Sequence, residues 1–368
     1  MSQSYNSRQL LSLGAVIALT PMLRLYPAQS AALTGRAGWL TPVAVLPLAV
    51  MWAWGMTRFL QRMKPEERFP DLLLRLGGKP ALAVFVGWTL LYAAFVLRSG
   101  ADRLVGTVYP GASPALFSQL MGLIALLAAL STPRTLARMG RILLPILYGV
   151  LLLLLFFAFM SLDLDNLLPV GAGDVWPVLK AAPLPLDILA GTGTALCFLA
   201  GGMKDGGPRF SRLALWAAGL CALMFLLSAA VTGVFGAPLT AQLARPFFVL
   251  VRTLSFFRTV ERVEALIVML WIFPDFLITA LFLWAGQYGL RLLFGFRPDD
   301  QPRARLDFSE GRVLVWAFGA AATVLALFLA REPAALERWS TAIIPAANLV
   351  FVFVFLPIVY IVGKKRTA

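Results

Sequence analysis

The chain is 368 residues long, 60% hydrophobic and only 14% charged, with a mean hydropathy of +0.82; this excludes a soluble globular domain and indicates a polytopic membrane protein. The formal charge of +14 does not point to nucleic acid, because Lys and Arg sit in short segments between apolar stretches rather than on one basic face. With no histidine, His-based metal sites and His-dependent catalytic dyads and triads are excluded, and any proton relay must use carboxylates or water.

The N-terminus imitates a secretory signal, with Arg8, an apolar run from Leu10 to Leu19, and Ala28-Gln29-Ser30 beyond it. Pro21, Arg24 and Tyr26 between that run and the cleavage-like site argue instead for a retained first span. About 20 apolar residues cross a bilayer as a helix. That ruler predicts ten spans, at 9–33, 38–60, 80–101, 114–131, 135–160, 183–203, 211–236, 264–292, 312–330 and 340–363. Lys and Arg gather in the segments on the N-terminal side, among them Arg58, Arg62, Lys64, Arg138, Arg291 and Lys364, which predicts both termini in the cytoplasm. Between spans 7 and 8, residues 237–263 interleave Pro246, Phe247, Phe248, Val251, Leu254 and Phe256 with Arg245, Arg252 and Arg258, the pattern of an interfacial helix or of a gate over the outer mouth. Cys197 and Cys221 lie inside apolar spans and read as small buried hydrophobes rather than as a disulfide framework. One polytopic membrane domain is expected over 1–368, its first half about 9–160 and its second about 183–363.

Two spans carry helix-breaking sequence at corresponding places in those halves. Span 1 contains Thr20-Pro21 followed by Arg24, and span 6 contains Gly191-Thr192-Gly193-Thr194. Pro21 removes a backbone donor and glycines weaken the helical ladder, so each interruption would free amides and carbonyls at membrane depth. Such groups persist only where they line a protein-enclosed cavity, and paired interruptions mark transporter-like substrate sites. Taken singly, each could instead be a kink or a close-packing helix face.

Arg24, Asp187 and Asp275 are the ionisable residues deepest in the spans. A charge near a helix centre costs at least about 2.5 kcal/mol, so each should face the bundle interior. Asp275, after Pro274 in span 8, is expected either to pair with Arg24 or to carry a proton, unless it forms a purely structural pair. Asp187, after Pro183 and Pro185, lies near the outer end of span 6. Arg98 and Asp102, four residues apart, read as an interfacial helix pair.

Several fragments stand in a recognisable order: Leu23-Arg24-Leu25-Tyr26-Pro27 with Gly38-Trp39-Leu40, Phe69-Pro70 through Leu76-Gly77-Gly78-Lys79, and Ala137-Arg138-Met139-Gly140-Arg141 with Pro145. Asp165-Asn166-Leu167-Leu168-Pro169-Val170, the run from Pro246 to Arg252, Val260-Glu261-Arg262-Val263-Glu264 and Trp271-Ile272 follow them. In this order and spacing they resemble the endospore germination permease family, the B subunits of nutrient germinant receptors, within the amino acid, polyamine and organocation transporter superfamily. The resemblance implies an all-α integral membrane protein of ten helices in the leucine-transporter arrangement. It further implies two inverted five-helix repeats, with helices 1 and 6 discontinuous and ligand held between spans 1, 3, 6 and 8. Where relatives carry small glycine-type residues at the span 1 break, this chain has Thr20-Pro21, and Arg24 adds an anion-binding possibility. The run Leu196 to Gly202 lacks an acidic residue at its end unless Asp205 serves.

The expected function is non-enzymatic binding of a small nutrient, an amino acid by resemblance, at Thr20, Pro21, Arg24, Gly191, Thr192, Gly193, Thr194 and Asp275. No cofactor or metal is expected. The family implies A- and C-type germination subunits as partners and the spore inner membrane as location. An active amino acid or cation transporter, and a non-binding scaffold, are the alternatives.

Overall fold

A computed structural model describes residues 5–64, 67–109, 111–201, 203, 207–253, 264–296, 313–329 and 332–367. Asp205 and the expected features at Leu254, Phe256, Arg258 and 260–263 lie outside the described residues. Among the described residues every regular element is a helix.

Helix α1 (Ser7–Arg24) begins at a capping box, in which Asn6 Oδ1 accepts from the Gln9 amide at 3.0 Å and Gln9 Oε1 accepts from the Asn6 amide at 3.2 Å. After Leu25 the chain resumes as α2 (Tyr26–Thr34) and then α3 (Thr41–Leu60). Helix α4 (Phe69–Thr107) bends at Gly78, whose φ of 73° with ψ of −170° is open only to glycine, so a short helix precedes the long one that starts at Pro80. Then follow α5 (Pro114–Ala129), α6 (Pro133–Met160), α7 (Val175–Lys180), α8 (Pro183–Cys197) and α9 (Phe210–Phe235). The chain continues through α10 (Ala237–Gln242), α11 (Pro246–Thr253), α12 (Glu264–Leu293), α13 (Val313–Phe328) and α14 (Pro333–Arg338). It ends in α15 (Ile344–Val350) and α16 (Leu356–Thr367), separated by a π-helical turn, Phe351–Phe355, with another, Trp339–Ile343, before α15.

Prolines set many of these starts. Pro27, Pro42, Pro70, Pro114, Pro133 and Pro183 each occupy a first-turn position, where the missing amide has no helical partner to lose. Six helical segments are long and apolar enough to cross a membrane: 26–60, 69–107, 133–160, 210–235, 268–293 and 334–364. Two shorter apolar helices, α5 and α13, coincide with expected spans 4 and 9, while spans 1 and 6 correspond to the α1/α2 pair and to α8, only 15 residues long.

Helices α1 and α8 are apolar all round and almost wholly enclosed, which makes them central. Around them α4 packs on α12, α3 on α9, α1 on α6, α8 and α12, and α15 on α8. Leu152, Leu153 and Phe156 of α6 and Ile358 and Ile361 of α16 point outward, as lipid-facing side chains do.

Two sequence expectations need correction here. Helix α1 runs unbroken through Thr20-Pro21, and α8 runs unbroken through Gly191-Thr192-Gly193-Thr194. The chain leaves helical geometry later in both cases, at Leu25 (φ −129°, ψ −20°) and after Cys197. A proline removes one hydrogen bond but its φ suits a helix, and packing on α6, α8 and α12 holds α1 together across it. Helix α11 is also not a purely interfacial helix. Phe247, Leu250 and Val251 are buried in the protein, and Phe248 packs on Trp271 with ring centroids 5.7 Å apart.

Candidate functional site

Four of the expected site residues come together. Thr20, Pro21 and Arg24 of α1 and Asp275 of α12 line a small cavity of about 20 Å³ with Tyr92, Phe95, Val96 and Ser99 of α4 and Ile278 of α12. On α4 the residues Tyr92, Phe95, Val96, Ser99 and Arg103 recur at helical spacing, so one face of the helix supplies the wall and its charge. On α12 the residues Trp271, Asp275, Ile278 and Phe282 do the same.

Asp275 is buried at 1% exposure, and its Oδ2 accepts from Arg103 Nη2, forming a buried salt bridge. The expected pairing with Arg24 is therefore corrected: Arg103, one turn beyond Ser99, takes the carboxylate. Arg103 lies beyond residue 101, where the third expected span ends, but α4 extends to Thr107. Gly100 allows this approach, since a Cβ there would stand 2.9 Å from Asp275 Oδ2. Asp102 Oδ2 in turn meets Arg245 Nη2 at 3.5 Å, tying α4 to the segment before α11.

Arg24 ends α1 immediately before the discontinuity. Its guanidinium carbon lies 5.1 Å from the centre of the Phe95 ring, and it feels the charges of Arg103, Asp275 and Asp187. The polar groups here are incompletely satisfied: Arg24 Nε, Arg103 Nε and Nη1, and Asp275 Oδ1 are all buried without a hydrogen-bond partner. Four atoms of three neighbouring charged side chains are thus left with hydrogen-bonding capacity to spare beside the cavity. The cavity itself has room for about one water molecule.

Aromatic side chains close both directions along α12. On one side Thr20 Oγ1 donates to the Trp271 carbonyl at 3.3 Å, and Phe248 covers Trp271. On the other, Tyr92 stacks on Phe282 at 4.3 Å between centroids, Trp88 stacks on Phe351 at 4.1 Å, and Phe198 fits edge-on against Phe282, Trp88 and Phe85. Phe198 is the residue at which α8 ends. The apolar area and edge-to-face contacts of this cluster make it a packed plug rather than a loose constriction.

Gly191, Thr192, Gly193 and Thr194 do not line the cavity. A Cβ on Gly193 would stand 2.2 Å from Trp52 and 3.1 Å from Trp216, so this glycine serves close packing. Thr192 Oγ1 donates to the Ile188 carbonyl at 2.6 Å within the helix, and Thr194 Oγ1 is buried without a partner. Gly191 lies beside a second polar contact that the sequence reading missed: Asn348 Nδ2 donates to Asp187 Oδ1 at 2.9 Å, joining α15 to α8. The signal for Asn348 was available, since it is a carboxamide in an otherwise apolar stretch.

A family model for spore germination proteins, the spore permeases, matches residues 8–333. No curated protein sequence matches the chain. Among solved structures the chain is similar to MhsT in a crystal structure with L-phenylalanine, at 14% identity and a TM-score of 0.58, covering 98% of this chain and 88% of MhsT. It is similar also to Mhp1, a nucleobase-cation-symport-1 family transporter in a closed conformation with bromovinylhydantoin bound, at 13% identity and a TM-score of 0.55, covering 96% and 79%. Identities this low speak for a shared fold alone, that of leucine-transporter-type membrane transporters. With helices of membrane-spanning length, that fold and a family match over most of its length, the chain is a multi-pass integral membrane protein and belongs to the spore germination protein family.

Proposed function

We propose that the protein is a permease-like receptor subunit that binds a small zwitterionic nutrient, an amino acid, between α1, α4 and α12. The observation that carries this reading is the cluster of orphaned polar atoms on Arg24, Arg103 and Asp275 around a small cavity at the end of α1. A ligand carboxylate satisfies Arg24 with a charge-assisted hydrogen bond, and a ligand ammonium satisfies Asp275 Oδ1. Gly191 to Thr194 contribute at one remove, by setting the packing of α8 and its contact with Asn348. Admitting an amino acid requires the aromatic groups around Trp271 or Phe282 to move apart, because a cavity of about 20 Å³ holds only about one water molecule; binding then selects an expanded state, and that change is the signal. Partner A- and C-type germination subunits would receive it in the spore inner membrane, with both termini cytoplasmic. Ten crossing helices in two inverted repeats, about 9–160 and 183–363, complete the proposal.

A second reading, an active amino acid or cation transporter, is favoured by the fold shared with MhsT and Mhp1. In it the same site moves solute by rocking one repeat against the other. The test is thermal unfolding of the purified protein against a panel of L-amino acids and their decarboxylated analogues. At least one amino acid is expected to raise the unfolding temperature where its decarboxylated analogue does not, and Arg24→Gln is expected to abolish that shift. Absence of any shift across the panel refutes the binding site in favour of a scaffold. Uptake of the responsive amino acid, radiolabelled, into proteoliposomes then separates carrier from receptor.

A further inference from the structure

A larger cavity lies away from this site. It is a groove of about 440 Å³ between α3 and the last helical stretch, walled by Met51, Trp54 and Gly55 on one side and Val352, Leu356 and Tyr360 on the other. Met51 and Trp54 are more than half exposed, so the groove opens laterally, toward lipid rather than toward the bundle interior. Its volume is in the range of specific small-molecule pockets, roughly 300–1,000 Å³.

Two guanidiniums stand at one end of it. Arg58, itself a lining residue, lies with its guanidinium carbon 5.6 Å from the Trp54 ring centre, and Arg62 lies 4.0 Å from the Tyr360 ring centre. Among the described residues no carboxylate pairs with either; the nearby Glu67 is engaged by Arg75 at 2.7 Å. Lys64 follows shortly after this end of α3. An apolar slot with unneutralised cations at its headgroup-level end is complementary to one kind of molecule, an amphiphile with a long apolar chain and an anionic head.

We propose that this groove is a specific binding site for an anionic phospholipid. One acyl chain lies between α3 and the π-helical turn, and the phosphate is held by Arg58 and Arg62. The position gives such a lipid leverage. Val352 lines the groove while its neighbour Phe351 stacks on Trp88 of the aromatic plug, so the lipid buttresses the turn on which one plug residue rides. π-helical turns recur at functional sites because they place adjacent side chains out of ordinary helical register.

The test uses the full chain purified in a neutral detergent, with phosphatidylglycerol and phosphatidylcholine of identical acyl chains as probes. Phosphatidylglycerol is expected to raise the unfolding temperature and to persist as a bound lipid in native mass spectrometry, and phosphatidylcholine to do neither. Arg58→Gln with Arg62→Gln is expected to erase that difference. Gly55→Trp, placed where a Cβ meets open space, is expected to fill the groove and abolish retention of phosphatidylglycerol while leaving helical content unchanged. Equal shifts from the two lipids, or a phosphatidylglycerol preference that survives the double arginine variant, would overturn the proposal. So would a Gly55→Trp chain that keeps its lipid. Nutrient binding at Arg24 is read separately, with amino acids, so failure of either proposal leaves the other standing.

Discussion

Breaking the Arg103–Asp275 pair is the perturbation whose size the structure constrains most closely. The two side chains are 4% and 2% exposed, so neither regains solvation when its partner is removed. Opposite charges about 4 Å apart attract by about 4 kcal/mol at an effective dielectric constant of 20. Removing one member of a buried pair costs about 3–5 kcal/mol, because a bare charge is left behind. Arg103→Met strands a carboxylate whose Oδ1 already lacks a partner. The expected loss is about 3 kcal/mol, at the lower end, since Arg24 remains near enough to offset part of the charge. Asp275→Leu strands two arginines instead of one and is expected to cost at least as much. The double variant removes the pair together but leaves Arg24 without the carboxylate, so it is expected to cost less than the sum of the two single losses without returning fully to the parent. Equilibrium unfolding by SDS titration in mixed micelles, run on all four proteins, gives the coupling energy directly. Losses that simply add, within about 0.5 kcal/mol, would refute the reasoning, since additivity is the mark of residues that do not touch.

Three further outcomes follow from particular contacts. Gly193→Ala drives a methyl group into Trp52 and Trp216 and is expected to destabilise by about 1–3 kcal/mol, whereas Gly219→Ala, which meets open space, should stay within about 1 kcal/mol of the parent; melting of the two purified variants compares them. Phe351→Ala removes the partner stacked on Trp88 and should cost about 3–5 kcal/mol in the same SDS titration. Burial acts to raise the Glu67 carboxyl, but the Arg75 hydrogen bond, the Lys64 backbone amide and nearby positive charge outweigh it and hold the group below its ordinary value. A depressed carboxylate contributes stability above its unfolded value, near pH 4.3, and loses it as pH falls through the folded value. Melting from pH 7 down to pH 3 should therefore show a loss at the acid end that Glu67→Gln lacks.

Much of the architecture was legible along the chain because a bilayer imposes a length and a polarity on each crossing segment. Six of the expected spans lie on helices long and apolar enough to cross a membrane, and two more fall on the shorter apolar helices α5 and α13. The site was legible in part. Arg24 and Asp275 stood out as charges in apolar sequence, and both border the cavity. The helix breaks were misplaced because Pro and Gly state only what local geometry permits. At Thr20-Pro21 the packing of α1 on three neighbours preserves the helix, and the chain yields instead at Leu25, beside the Pro27 that starts the next helix. At Gly191 and Gly193 the small residues admit Asn348 and Trp52 rather than an unwound backbone.

What one dimension determined was therefore class, spans and the unusual charges, all of them consequences of transferring each residue into hydrocarbon on its own account. Which charge meets which was decided only in three dimensions. Arg103 reaches Asp275 across 172 positions of sequence because Gly100 lets α4 and α12 approach, and no local pattern encodes that distance. The aromatic plug is likewise a product of assembly: Trp88, Phe198, Phe282 and Phe351 come from four separate segments, and each is an ordinary apolar residue until packing brings the rings together.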